Sequence, residues 1–107
     1  MIEITFNPKN FEIKATGHAK HDVKGKDIVC SAISTLFYTL AQTLFDSHDM
    51  LEALDVDDKN GDGFIGCTPK EEYIGNIACI YRTILIGMEM VANEYPKNVK
   101  FKVLEEI

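Results

Sequence analysis

Asp27-Ile28-Val29-Cys30-Ser31-Ala32-Ile33-Ser34-Thr35-Leu36-Phe37-Tyr38-Thr39-Leu40-Ala41-Gln42-Thr43-Leu44-Phe45 is the stretch on which the fold turns. Val29, Ile33, Leu36, Phe37, Leu40, Leu44 and Phe45 recur at i, i+3 and i+4, the spacing that lines apolar side chains along one helix face. Asp27 stands just before the first of them, where an aspartate side chain accepts the unpaired N–H of the second or third helical residue. The segment therefore reads as a long amphipathic helix capped by Asp27, with Cys30 as its third residue.

Upstream, the period is two instead of 3.6. Ile2, Ile4 and Phe6 alternate with Glu3, Thr5 and Asn7, and after Pro8-Lys9-Asn10 the alternation resumes at Phe11, Ile13 and Ala15, which predicts a hairpin. Downstream, Leu54 and Val56 precede a polar cluster and Phe64 and Ile65 follow it, a second hairpin between about Leu51 and Cys67. Thr68-Pro69-Lys70-Glu71 then has the form of a capping box with proline at the first helical position. A second helix is expected beyond it, burying Ile74, Ile77, Tyr81, Ile84, Leu85, Met88 and Val91 and ending before Pro96. Val99, Phe101 and Val103 alternate with lysines as a last strand. The order is ββαββαβ, an α+β fold with a mainly antiparallel sheet and two long helices on one face. Residues 1–107 are read as one domain, without repeat, linker or low-complexity tract.

A net charge of −6 argues against a nucleic-acid binder, which shows a basic face, and suits a basic partner better. The start Met1-Ile2-Glu3-Ile4-Thr5-Phe6 has neither the positive residues nor the apolar run of a secretory signal. No later stretch is read as a membrane span, so the chain is expected to be cytoplasmic. Three cysteines, Cys30, Cys67 and Cys79, are an odd number without zinc-ligand spacing. Neither a disulfide framework nor a metal site is favoured.

His18 lies twelve positions before Cys30, at the end of the alternating run, with a polar loop bounded by Gly17 and Gly25 between them. The N–H groups and positive dipole end of a helix favour a thiolate at Cys30, and the same N–H groups suit an oxyanion during acyl transfer. A small buried hydrophobe on the helix face meets the same spacing, and His18 equally suits a strand end. His21 and Asp22 serve either as orienting groups for His18 or as a solvated loop. Spacing alone leaves these readings open.

Gly17-His18-Ala19, Gly25 and Asp27-Ile28-Val29-Cys30-Ser31-Ala32-Ile33-Ser34, with their separation, resemble the signature of the ribosomal-processing cysteine protease (Prp) family. The element order fits that small α+β family across nearly the whole chain. The resemblance implies a cysteine endopeptidase that removes the N-terminal extension of a large-subunit ribosomal protein precursor, acting as a homodimer; no cofactor is expected. By the same resemblance Cys30 is the nucleophile and His18 its general base and acid. Asp27 and Ser34 match further family positions and are assigned support of the helix start and the site wall. Gly17 and Gly25 are assigned as hinges of a loop that closes over the peptide. Ser31, where alanine is common, and the lysines of the loop bear on substrate fit.

Asp58-Lys59-Asn60-Gly61-Asp62-Gly63-Phe64-Ile65 matches the first eight positions of an EF-hand loop, yet Pro69 occupies the position of the bidentate glutamate. Asp, Asn and Gly are also what a hairpin turn requires, and the turn is the reading adopted. The rival class is a non-catalytic module, ribosome-associated or calcium-binding. Met88, Met90 and Tyr95, with Ile80 and Ile84, suit a dimer surface or ordinary core. Cys67 and Cys79 are expected inside, and His48 near the first helix C-terminus.

Overall fold

The computed structural model describes residues 1–17 and 27–104. Its elements are β1 (Ile2–Asn7), β2 (Glu12–Thr16), α1 (Ile28–Asp46), β3 (Leu51–Asp57), β4 (Gly63–Pro69), α2 (Ile74–Glu94) and β5 (Val99–Val103). The strands form one sheet in the order β3-β4-β2-β1-β5, antiparallel except for the parallel pair β1 and β5. This is the α+β arrangement expected from the two periodicities.

Register explains why one face is apolar. Ile4 stands opposite Ala15 on β2 and Phe101 on β5, and Ile13 stands between Phe6 and Ile65. Because strand side chains alternate, this face carries Ile2, Ile4, Phe6, Ile13, Ile65 and Val99, all buried. The alternate positions include Glu3, Thr5, Lys14, Lys100 and Lys102, which suit water. Val29, Ile33, Phe37, Leu40 and Leu44 of α1 and Ile77, Tyr81, Ile84, Met88 and Ala92 of α2 complete the core. The helices approach each other at Gly87, where a Cβ would meet Leu36 Cδ2 at 2.9 Å.

Several expectations change. Thr68 and Pro69 belong to β4, opposite Ala53 and Leu51, and Lys70 N–H donates to Met50 O at 2.9 Å. Pairing with β3 thus prevails over the local capping box, and α2 begins at Ile74, after a 3-10 turn at Glu71–Tyr73, without a side-chain cap. Ile74 and Phe45, expected in the core, are exposed. Cys79 is exposed too, whereas Cys67 is buried. Met88 and Ile84 are core residues, which leaves Met90 as the exposed member of the proposed dimer set. The spans Ile28–Asp46 and Glu71–Glu94 are long and apolar enough to cross a membrane by length and composition, contrary to the sequence reading. Here their buried faces lie in the core shared with the sheet.

Tyr81 joins two halves of that core. Its ring lies 5.9 Å from Phe6 and 5.1 Å, edge-on, from Phe11, which packs there despite a φ of +52°. Its hydroxyl donates to Cys67 Sγ at 3.5 Å. Burial pushes the Cys67 thiol above its ordinary 9.0, partly opposed by the Tyr81 hydrogen bond. Burial, then the bond to Cys67, pushes the Tyr81 phenol far above its ordinary 10.0. Both protons are held more tightly in the folded chain, so the unfolded chain releases them first as pH rises. Stability is full below the unfolded values and is lost as pH climbs past them. Urea midpoints are therefore expected to fall between about pH 9 and 11, with a shallower fall in Tyr81→Phe; an unchanged midpoint in the unaltered chain overturns this account.

Candidate active site

The site begins with the first turn of α1. Asp27 has an extended backbone, φ −77° and ψ 104°, and Oδ1 accepts Val29 N–H at 2.9 Å and Cys30 N–H at 3.0 Å. Its carbonyl accepts Ser31 N–H at 3.1 Å. Asp27 is the buried charged residue among the described residues, 6 % exposed, so its carboxylate is held by the helix N–H groups instead of by water. Removing it takes away the acceptor that the Val29 and Cys30 N–H groups share. Asp27→Ala is expected to lower stability by about 1–2 kcal/mol while Asp27→Asn, which keeps an acceptor, loses less; equal urea midpoints for the unaltered chain and Asp27→Ala contradict the cap.

The Val29 and Cys30 N–H groups serve the Asp27 carboxylate, so these two donors of the helix start are already engaged.

Cys30 is half-buried and lines a cleft of about 170 Å³ between α1, the start of β1, the end of β2 and the β3–β4 turn. Ser34 and Tyr38 follow at one and two helical turns on the same wall, because i, i+4 and i+8 share a helix face. Ser34 is exposed along this wall. Gly17 closes the opposite side with φ +86°. A Cβ at Gly17 would overlap the Met1 carbonyl oxygen, so glycine is required there for both space and conformation. His18, the expected base, and Gly25, the second expected hinge, lie outside the described residues, as do His21 and Asp22.

The third wall is the turn that resembles a calcium loop. Asp62 Oδ1 accepts Gly17 N–H at 3.2 Å, and Asp58 Oδ2 accepts the Tyr38 hydroxyl at 2.8 Å. That hydrogen bond, followed by desolvation and the Asp58 charge, raises the Tyr38 phenol above its ordinary range. Gly61 takes φ +81°, and a Cβ at Gly63 would meet the Phe37 ring at 2.6 Å. Thus the two carboxylates reach to different elements, and among the described residues no three His, Cys, Asp or Glu side chains form a metal-sized group. The sequence reading missed Tyr38, Asp58 and Asp62 as cleft walls. The i, i+8 step from Cys30 was the available signal for Tyr38; the carboxylate partners are set by tertiary contact. His48 sits after α1 and its Nδ1 lies 3.0 Å from Phe45 O.

Comparison with known proteins places this fold among small cysteine proteases. A family model described as cysteine protease Prp matches residues 1–100, and the chain belongs to that family. Similar solved structures include the essential ribosomal processing protease Prp from S. aureus in complex with a covalently linked product peptide. It is 22% identical with a TM-score of 0.76, covering 96% of this chain and 97% of that one. The same S. aureus protease with a substrate peptide is 20% identical at TM-score 0.69, over 96% and 97% of the two chains. SMU.848 from Streptococcus mutans is 23% identical at TM-score 0.70, over 98% and 93%. No curated protein matches the sequence.

Proposed function

We propose that this chain is a cytoplasmic cysteine endopeptidase that removes the N-terminal extension of a large-subunit ribosomal protein precursor during ribosome assembly. The observation that carries the reading is the half-buried Cys30 thiol on a capped helix start, opening on a cleft whose opposite side is Gly17, in a chain matched by the Prp family model over residues 1–100. His18 directly follows Gly17 in the sequence. The S. aureus relative covalently linked to a product peptide supports a covalent route.

In that route Cys30 Sγ attacks the scissile carbonyl as His18 takes the thiol proton. His18 then protonates the leaving amine, and a thioester to Cys30 remains. Water, deprotonated by His18, attacks the thioester and returns the thiol. Asp27 holds the helix start under the nucleophile, and Ser34 forms the wall beside the peptide. Gly17 and Gly25 are the hinges of the loop over it. No cofactor, metal, nucleic acid or membrane enters the scheme. The negative net charge suits a basic precursor. The active form is a homodimer, for which exposed Phe45, Ile86 and Met90 supply apolar helix surface.

The test is incubation with a peptide spanning the precursor's N-terminal cleavage site, with the products identified by mass spectrometry. A single cut at that site is expected. An intact peptide at high enzyme concentration overturns the proposal.

A further inference from the structure

We infer that Asp58 and Asp62 are positioning residues that clamp the two walls of the Cys30 cleft, so that the β3–β4 turn sets the spacing between the nucleophile helix and the end of β2. The inference rests on the proteolytic reading of the cleft for its meaning. The turn reaches in both directions: Asp62 Oδ1 holds Gly17 N–H at 3.2 Å, and Asp58 Oδ2 holds the Tyr38 hydroxyl at 2.8 Å.

A third contact makes the turn a fixed spacer. Gly63 lies so close to Phe37 that a Cβ would meet Cε1 at 2.6 Å, and Phe37 is a buried residue of α1. The turn backbone is therefore seated against α1 before either carboxylate reaches out. Gly61, at φ +81°, allows the tight reversal that brings Asp62 back toward β2. Each acidic side chain of the pair, and both glycines, thus has a job at the cleft, which explains a motif that otherwise reads as a defective calcium loop.

Why clamp this place? Gly17 is the residue before His18, and Tyr38 shares a helix face with Cys30. A small drift of β2 relative to α1 changes the distance over which a proton passes, and displacements of about 1 Å cost up to roughly 100-fold in rate. Exposed hydrogen bonds contribute little to global stability. A clamp therefore shows itself in turnover far more than in unfolding.

The test compares Asp62→Ala, Asp62→Asn, Asp58→Ala and Tyr38→Phe. Steady-state peptide cleavage is read together with the amide exchange of Gly17 and site-resolved alkylation of Cys30. Asp62→Ala is expected to lower kcat about 10-fold or more with KM changed less than about 3-fold, and to speed Gly17 amide exchange at an unchanged melting temperature. Asp62→Asn keeps an acceptor oxygen and recovers most of both losses. Asp58→Ala and Tyr38→Phe lower turnover together, and the double variant is no worse than either single one. Full turnover in Asp62→Ala, or an Asp62→Asn as impaired as Asp62→Ala, overturns the clamp. If the unaltered chain does not cleave the peptide, the proteolytic reading fails by itself. Gly17 exchange and Cys30 alkylation then decide the clamp, and values unmoved by Asp62→Ala overturn it.

Discussion

Cys30→Ala is expected to abolish peptide cleavage, lowering the rate by at least about 10⁴-fold, while the chain stays folded. The size follows from chemistry. Sγ forms the bond to the scissile carbonyl in the proposed route, and a methyl group has no lone pair to replace it. What remains is the peptide held beside a solvated cleft, where water is a far poorer nucleophile than a thiolate. The half-buried position of Cys30 limits the packing loss to less than about 1 kcal/mol, and Val29 and Cys30 still donate to Asp27 through backbone N–H groups that the substitution leaves intact. His18→Ala retains the thiol but loses the proton carrier, so it is expected to lie between Cys30→Ala and the unaltered chain. Initial rates with equal circular dichroism for all three proteins make the measurement. Cleavage surviving Cys30→Ala would end the nucleophile assignment, whatever the fate of His18→Ala.

Gly17→Ala is expected to cost about 2–4 kcal/mol of stability, the largest effect for the smallest change in side chain. Two costs coincide at this position. A φ of +86° lies in the left-handed region that an L-residue avoids, and the new Cβ is directed at the Met1 carbonyl oxygen, a backbone atom that yields only if the start of β1 moves. Ile2, the next residue, is buried and hydrogen-bonded through its N–H to Asn98 O at 2.8 Å. Shifting β1 therefore disturbs its parallel contact with β5 as well. Urea denaturation measures the loss, and a midpoint equal to that of the unaltered chain contradicts the backbone geometry at Gly17. Turnover falls with it in the proposed mechanism, because the displaced residue is the one joined to His18.

The legible parts of the molecule were those governed by local periodicity and short-range hydrogen bonding. Val29, Ile33, Phe37, Leu40 and Leu44 follow the helical spacing and are buried, and Asp27 caps the helix they form. Phe45 fits the same spacing yet is exposed, while its neighbour Leu44 in the same last turn is fully buried, because a step of about 100° around the helix carries Phe45 past the edge of the buried face. The Thr68-Pro69 signal misled for a different reason. It is a valid local helix start, but β3 offers these residues strand pairing, and no short-range pattern reveals which partner a strand finds. The placement of β2 beside β4, instead of leaving the two hairpins separate, is likewise a long-range choice.

The sequence by itself determined the element types, the α+β class, the capped helix beneath Cys30 and, through its motifs, the resemblance to the Prp proteases that the family match bears out. These are encoded within a few residues or one or two helical turns, where side-chain period and backbone hydrogen bonding act. Only the tertiary structure decided that β1 lies between β2 and β5, that Gly17 and Cys30 border one cleft, and that Asp58 and Asp62 reach to Tyr38 and Gly17. The physical reason is sequence distance. Asp62 meets Gly17 across 45 positions, a separation at which the folded sheet and its packing, and no local preference, select the partner.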